Sequence, residues 1–311
     1  MKKLIGMGEC LIDFMPIDGR TLGFQAKAGG APANVCACVS RLGGKGCYLG
    51  KLSTDVFSAY LLNNMQKYGV DTDYVAIDSR YQTALAFVTL DEKGDRRFDF
   101  YRKDSCDLML NENDIKDDMF DKDDFLHFCS VGLVESDSKY AHKKAVMLAR
   151  KKGCKISFDV NMRVRLWDSL KSLTDTIREF LPYADIVKMT DEELLTVSGI
   201  SEEASAAKYI LAIAENAQLL FVTKGENGCA VYDRHLNSIE RDAVKARVVD
   251  TTGAGDCFIG SIIYCLLYKN IGLSINEIAE AVEFALRACA KVVESYGAME
   301  AMPALAEIEN V

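Results

Sequence analysis

The sequence has no long apolar stretch, no block of basic residues, no CxxC pair, no internal repeat and no low-complexity linker. Each gap removes a class of function. Without about 20 consecutive apolar residues no membrane-spanning helix is expected. The lysine-led start "MKKLIGMGECLIDF" does not read as a secretory leader, because glycines, Glu9 and Asp13 break its apolar run and no small-residue cleavage site follows. A net charge of −9 without a basic block argues against nucleic acid or an anionic membrane as partner, while a local basic pocket for a phosphate stays open. Cysteines are plentiful, but their number is odd, and Cys36, Cys38, Cys257, Cys265 and Cys289 fall inside apolar helical patterns. Free buried thiols in a reducing cytosol fit that arrangement better than disulfides or zinc, so a cytoplasmic location is expected.

What is present is the material for one large core. With 311 residues, 49% of them hydrophobic, the chain predicts a single domain over residues 1–311. Short apolar runs such as "KKLIGMG", "DFLHFCSV", "KISFDVN", "DIVKM" and "QLLFVTKG" read as buried strands. Between many of them lie segments of helical period, among them "PANVCACVSRLGG", "KYAHKKAVMLARKKG" and "LKSLTDTIREFLPYA". Strands alternating with helices predict an α/β fold with a mostly parallel sheet covered by helices on both faces. Residues 12–27 and 83–101 break the rhythm and read as antiparallel, the second with a hairpin at Asp91–Gly94. They predict a small β-sheet that covers the active site, pairs with another subunit, or does both.

Three glycine patterns invite a wrong reading. "GMGECL" has Leu11 where a dinucleotide fingerprint needs its third glycine, "GCYLGKLS" is one residue short of a P-loop, and "GAGDCF" also lacks a last glycine. The stretch "VVDTTGAGDCFIG", residues 248–260, is richer than a plain turn. "RVVD" reads as the end of a strand and "GDCFIGSIIYCLLY" as an apolar helix, which puts Gly253, Ala254 and Gly255 at a helix N-terminus. Backbone N–H groups there lack intrahelical partners and the helix dipole favours an anion, so the loop suits a phosphate or a developing oxyanion. Asp256, in the first turn, is placed to take a proton from an attacking hydroxyl. The plainer alternative is that Asp256 only complements the dipole.

A second stretch favours chemistry. "DTTGAGDCFIG" and "AGGAPANVCACVSRLGG" (28–44) resemble the C-terminal and N-terminal signatures of the ribokinase family, the PfkB carbohydrate kinases. The likeness covers essentially the whole chain. "GECLIDF", "GGAPANV", "FDFYR", "DVNMR" and the paired acids of "TDEEL" most resemble bacterial fructokinases. The resemblance implies a ribokinase-like fold with a β lid, and ATP-dependent phosphorylation of a sugar with fructose as the expected acceptor. Asp256 takes the role of catalytic base, and Gly253, Ala254 and Gly255 that of the anion hole.

Asp13, Gly29, Gly30 and Asn34 match sugar-binding positions, Arg102 is expected on the lid side of the sugar pocket, and Arg163 near the phosphates. Thr223 and Gly225 match the loop that contacts ATP. Thr190 stands where the family has Asn in its Asn-x-x-Glu motif, while Glu193 is kept, implying a water-mediated tie to Mg²⁺; the same pair also reads as a helix capping box. Asp250 and Thr252, with residues 292–301, match a loop that holds K⁺ in many members. A homodimer through the lid is implied as well. Other acceptors stay open: 2-keto-3-deoxygluconate, with Arg102 and Arg163 on its carboxylate, a ribose or nucleoside, or a phosphorylated sugar met by Arg96 and Arg97. A non-catalytic sugar-binding regulator on the same fold is the alternative of another class.

Overall fold

The computed structural model describes residues 2–17, 22–90 and 96–309, with the side chains of 90 and 96–98 excepted. The first half runs β1 (Leu4–Met7), β2 (Leu11–Pro16), β3 (Phe24–Gly29), α1 (Ala31–Arg41), β4 (Gly46–Leu52), α2 (Val56–Lys67), β5 (Val75–Ile77), β6 (Leu85–Leu90), β7 (Arg96–Tyr101), β8 (Phe125–Cys129) and α3 (Asp137–Lys152). The second half runs β9 (Lys155–Asp159), α4 (Leu170–Phe180), β10 (Ile186–Thr190), α5 (Asp191–Ser198), α6 (Glu203–Ile213), β11 (Leu219–Thr223), β12 (Cys229–Asp233), β13 (Ser238–Arg241), α7 (Ala254–Tyr268), α8 (Ile275–Val292) and α9 (Leu305–Ile308).

The main sheet has the order β13-β12-β11-β10-β9-β8-β1-β4-β5. Its pairs are parallel from β5 through to β11, and the β12–β13 hairpin adds two antiparallel strands at the other edge. Alternation decides which core each side chain joins: Leu4 and Phe221 pack with Val35, Ile259 and Val282 of α1, α7 and α8. Their neighbours Ile5 and Leu220 pack on the opposite face with Ala145, Leu173 and Ile210 of α3, α4 and α6. Strands buried on both faces take apolar residues at most positions, which is why these runs are near-continuous rather than alternating.

A second sheet has the order β3-β2-β6-β7. It corresponds to the two segments that break the α/β rhythm. Its outer pairs are antiparallel, but β2 and β6 run parallel, which the hairpin-like appearance of the sequence hides. The Asp91–Gly94 tip lies outside the described residues, as do the side chains of Arg96 and Arg97.

"GCYLGKL", whose spacing already excludes a P-loop, is β4, buried along its whole length between β1 and β5. One local reading changes. "RVVD" is not a strand: the N–H groups of Val249 and Asp250 both donate to the Val293 carbonyl just past the end of α8, at 2.7 and 3.2 Å. This draws residues 249–250 onto the helix rather than onto a sheet edge. All eleven cysteines are free thiols, ten of them buried. Among the described residues no helix is long and apolar enough to cross a membrane.

Candidate active site

In open α/β sheets, sites form beyond the carboxyl ends of the strands, and two cavities lie there. The larger, about 910 Å³, is lined on one side by apolar Val244, Val248, Phe258, Leu286 and Val293. The smaller, about 390 Å³, is lined by Glu9, Asp13, Asn34, Asp159, Arg163 and Asp256 among others. Lys188, Thr190, Thr251 and Gly255 line both, so the cavities meet at the start of α7.

Helix α7 begins at Gly253, whose φ of +81° is in the left-handed region. A Cβ there would also lie 3.0 Å from Ala298, so glycine answers both a conformational and a steric demand. No side chain caps this helix; the Ala254 N–H donates to the Thr251 carbonyl at 3.2 Å, and the N–H groups of Gly255 and Asp256 precede the first intrahelical bond, from the Cys257 N–H to the Gly253 carbonyl at 2.8 Å. Gly253 lines the smaller cavity, Ala254 the larger and Gly255 both. Asp256 follows in the first turn, only 9% exposed, with Oδ2 accepting a 2.8 Å hydrogen bond from the Asn34 amide. Burial raises its pKa above the ordinary aspartate value, opposed by the Asn34 hydrogen bond and the charges of Lys188 and Arg163. A buried carboxylate of raised pKa, with one oxygen anchored and the cavity beside it, has the properties of a general base.

The sequence reading passed over Lys188. It sits on β10 in register with Asp159 of β9, and its Nζ donates to both carboxylate oxygens at 3.1 Å. A Cβ built on Gly255 would be 3.0 Å from that Nζ, which puts the ammonium against the anion-hole backbone. Burial pulls the Lys188 pKa down, but Asp159, Glu193 and Asp256 outweigh it and hold the group charged. Asp159 in turn is pushed up to about 7 by burial, against the pull of Lys188. The signal was available: a lysine inside the buried strand "DIVKM" is costly without a paired acid.

On the sugar-side wall, Asp13 comes from β2 and stands over Gly29, where a Cβ would lie 2.1 Å from Asp13 Oδ2. Burial raises the Asp13 pKa to about 7, with Arg163 pulling it down and Asp256 and Glu9 pushing it further up. Gly30 lines the cavity just ahead of α1, and Asn34 faces it from the first turn of that helix. The Asn34 Oδ1 is buried without a hydrogen-bond partner, an acceptor left for a ligand. Arg163 lines this cavity too, with its guanidinium turned back to the Met162 carbonyl at 3.0 Å. Glu9, which the sequence reading used only as a charge breaking an apolar run, is buried and accepts from the Ala31 N–H at 3.1 Å.

Arg102 is placed differently. It does not line either cavity; its guanidinium is buried against Asp107 at 2.6 Å and the Val131 carbonyl at 2.9 Å. Its charge still reaches Glu9, whose pKa burial raises and Arg102 lowers.

On the nucleotide-side wall, Thr223 and Gly225 line the larger cavity. Thr190 caps α5: its Oγ1 accepts from the Glu193 N–H at 3.1 Å, and Glu193 Oε2 accepts from the Thr190 N–H at 2.8 Å. The other Glu193 oxygen accepts from the Met162 N–H at 2.6 Å. Lys224 points away, paired with Glu203 at 2.9 Å and Glu240 at 3.2 Å. Asp250 is 2% exposed; its Oδ1 accepts from the N–H and Oγ1 of Thr252 at 2.9 and 2.7 Å, and its Oδ2 from the Gly297 N–H at 3.2 Å. Among the described residues no group of three or more His, Cys, Asp or Glu side chains is arranged to hold a metal ion.

Known proteins share both sequence and shape with this chain. The family model described as pfkB family carbohydrate kinase matches residues 1–305. Probable fructokinase-5 of Arabidopsis thaliana is 36% identical over 317 residues, covering 99% of this chain and 96% of that protein. The crystal structure of fructokinase with bound ATP from Xylella fastidiosa superposes with a TM-score of 0.91 at 30% identity, covering 99% of this chain and 97% of that one. Fructokinase from Vibrio cholerae O395, in a form with fructose, ADP and calcium ion bound, gives a TM-score of 0.92 at 29% identity and covers 100% and 98% of the two chains. The chain therefore belongs to the pfkB family of carbohydrate kinases, phosphotransferases that act on a sugar hydroxyl.

Proposed function

We propose that this chain is a fructokinase, transferring the γ-phosphoryl group of ATP to the C6 hydroxyl of D-fructose. The carrying observation is the position of Asp256: on the sugar side of the point where the two cavities meet, in the first turn of an uncapped helix. Fructose lies in the smaller cavity with hydroxyls on Asp13, the open Asn34 Oδ1 and the backbone at Gly30. ATP lies in the larger, its base against Val248, Phe258 and Leu286 and its phosphates running past Thr223 and Gly225 toward α7.

Asp256 takes the C6 hydroxyl proton as that oxygen attacks the γ-phosphorus in line. The bond to the β-phosphate bridging oxygen breaks, and ADP leaves with the electron pair. The N–H groups around Gly253, Ala254 and Gly255 hold the equatorial oxygens, and Lys188 and Arg163 balance the charge spread over them. Burial raises the Asp256 pKa above the ordinary aspartate value, so its carboxylate is a stronger base than one at the surface.

Mg²⁺ on the ATP phosphates would supply charge neutralisation. Both Glu193 oxygens already accept a backbone N–H, and their remaining lone pairs suit a water between carboxylate and ion rather than direct ligation. Asp250, Thr252 and the carbonyls beside them are hard oxygen donors that fit K⁺ behind the anion hole. Asp250 is buried deeply enough for such an ion to stabilise the loop. Arg102 acts from behind, as a brace between the second sheet and the cavity floor at Val131.

The second sheet serves as the lid, excluding water while the phosphoryl group moves. Its other face carries Phe14 and Phe87, stacked at 4.7 Å; Phe14 also meets Phe57 of α2 edge-on at 5.9 Å, while Tyr101, edge-on to Phe87 at 5.3 Å, is largely exposed. That aromatic surface supports a homodimer through the lids. Eleven free thiols support a cytoplasmic, reducing setting.

The deciding experiment measures ADP release with Mg²⁺ and K⁺ on wild type and on Asp256→Asn, offering fructose, 2-keto-3-deoxygluconate, ribose and fructose 1-phosphate. Fructose-dependent turnover that collapses in the variant supports the reading. Turnover with another acceptor keeps Asp256 and discards fructose; an active variant discards the base.

A further inference from the structure

Lys27 of β3 is the register partner of Asp13 on β2, so the two side chains leave the lid sheet on the same face, toward the core. Lys27 forms an ion pair with Glu300, and both side chains are about four-fifths buried, at 21% and 20% exposure. Glu300 lies in the short segment 297–302, which touches the anion-hole loop through Gly297, Ala298 and Met302. The Gly297 N–H donates to Asp250, and Asp250 fixes Thr252 through two hydrogen bonds. Ala298 lies 3.0 Å from where a Gly253 Cβ would be, so it packs directly on the N-terminal residue of the hole.

We propose that the Lys27–Glu300 pair is a positioning contact that transmits lid position to the anion hole, so that a sugar seated on Asp13 helps set the backbone at Gly253 for phosphoryl transfer. The inference rests on the phosphoryl-transfer reading of the site. Contacts run without a break from the lid strand through the ion pair and segment 297–302 to Asp250 and Gly253. A lid displaced from the core separates Lys27 from Glu300 and frees the segment that buttresses Gly253. Holding the donors within a few tenths of an ångström matters because their benefit depends on preorganisation. Neither residue reaches the reacting atoms, so both act through the backbone they hold.

The test compares wild type with Lys27→Met, Glu300→Gln, Lys27→Arg and the charge reversal Lys27→Glu/Glu300→Lys. The readouts are kcat, both KM values, sugar-independent ATP hydrolysis and melting temperature. Each neutral variant should lose about 10-fold in kcat while the ATP KM moves less than about 2-fold, and wasted ATP hydrolysis per sugar phosphorylated should rise. Lys27→Arg keeps the charge and should retain most of kcat, and the reversal should recover a large part of the loss. A wild-type kcat in both neutral variants overturns the inference. So does a loss in Lys27→Arg as deep as in Lys27→Met, which would mark a packing role. If wild type itself shows no sugar-dependent turnover, the functional reading falls and takes this inference with it; unaltered variants of an active enzyme sink this inference alone.

Discussion

The smaller cavity is walled by five carboxylates, those of Glu9, Asp13, Asp159, Glu193 and Asp256, with Lys188 and Arg163 between them. The larger has apolar side chains over much of its wall and, at Thr223, Gly225 and Gly228, short residues that expose backbone. One side concentrates charge, with Glu9, Asp13, Asp159, Asp256 and Lys188 shifted by burial and by their neighbours; the other offers shape. The contrast implies a division of labour. Rate should depend on individual side chains of the charged half, where removing one group alters the charge state of the next. Nucleotide affinity should be spread over many contacts of the apolar half, each worth little.

The sharpest way to break that contrast is Asp256→Asn. Loss of a general base predicts a fall in kcat of about 100- to 10,000-fold, with the ATP KM nearly unchanged. A variant within a few fold of wild type would mean the charged half binds but does not drive the reaction.

Next in size is Lys188→Met, with kcat falling about 100-fold or more, as for removal of one preorganised charge-stabilising donor. This variant also strands Asp159 in a buried site. With its ammonium partner gone, the Asp159 pKa rises beyond about 7, further above its unfolded value. Below about pH 7 Asp159 is protonated in both folded proteins, so the variant's added stability deficit should open as pH rises above about 7, where the wild-type carboxyl ionises and the variant's stays protonated. Melting curves at pH 5.5 and pH 8 check the sign: a deficit larger at pH 5.5 would contradict the pairing.

A third test addresses Asp13. Its pKa near 7 means that the sugar site carries a proton below neutrality, and an acceptor for two hydroxyls must first lose it. Fructose affinity, measured by calorimetry without nucleotide, should therefore weaken as pH falls through about 7, and binding should release a proton. Asp13→Asn should remove the proton release as well as most of the affinity. Release that persists in the variant would assign the titration to another group.

The sites legible in the sequence are those whose chemistry is local. "DTTGAGDCFIG" holds its glycines, its helix start and its acid within a few residues, so Asp256 and its neighbours could be read together. The Lys188–Asp159 pair could not, because it depends on the register of β9 on β10, 29 residues apart in sequence. Arg102, expected on the lid side of the sugar pocket, meets the same limit: the Val131 carbonyl that holds its guanidinium, 29 residues on, comes near it only in three dimensions. The alternating fold was legible from its periods, but β4 was hidden by Gly46, Gly50 and Lys51. Lys51 is tolerated there because its ammonium reaches Asp114 at 2.6 Å and the Met109 carbonyl at 2.8 Å.

The smallest effect belongs to the apolar half. Val248 lines the larger cavity yet is 63% exposed, so it contributes little to the core. Val248→Ser removes apolar area that only a bound nucleotide would cover. A loss of about 1 kcal/mol of contact corresponds to a rise of about 5-fold in the ATP KM, with kcat and melting temperature unchanged. A fall in kcat instead would mean that the nucleotide wall also positions the γ-phosphate, and the division between the two halves would not hold. A KM that does not move would put the base elsewhere in the cavity, against Phe258 and Leu286 alone.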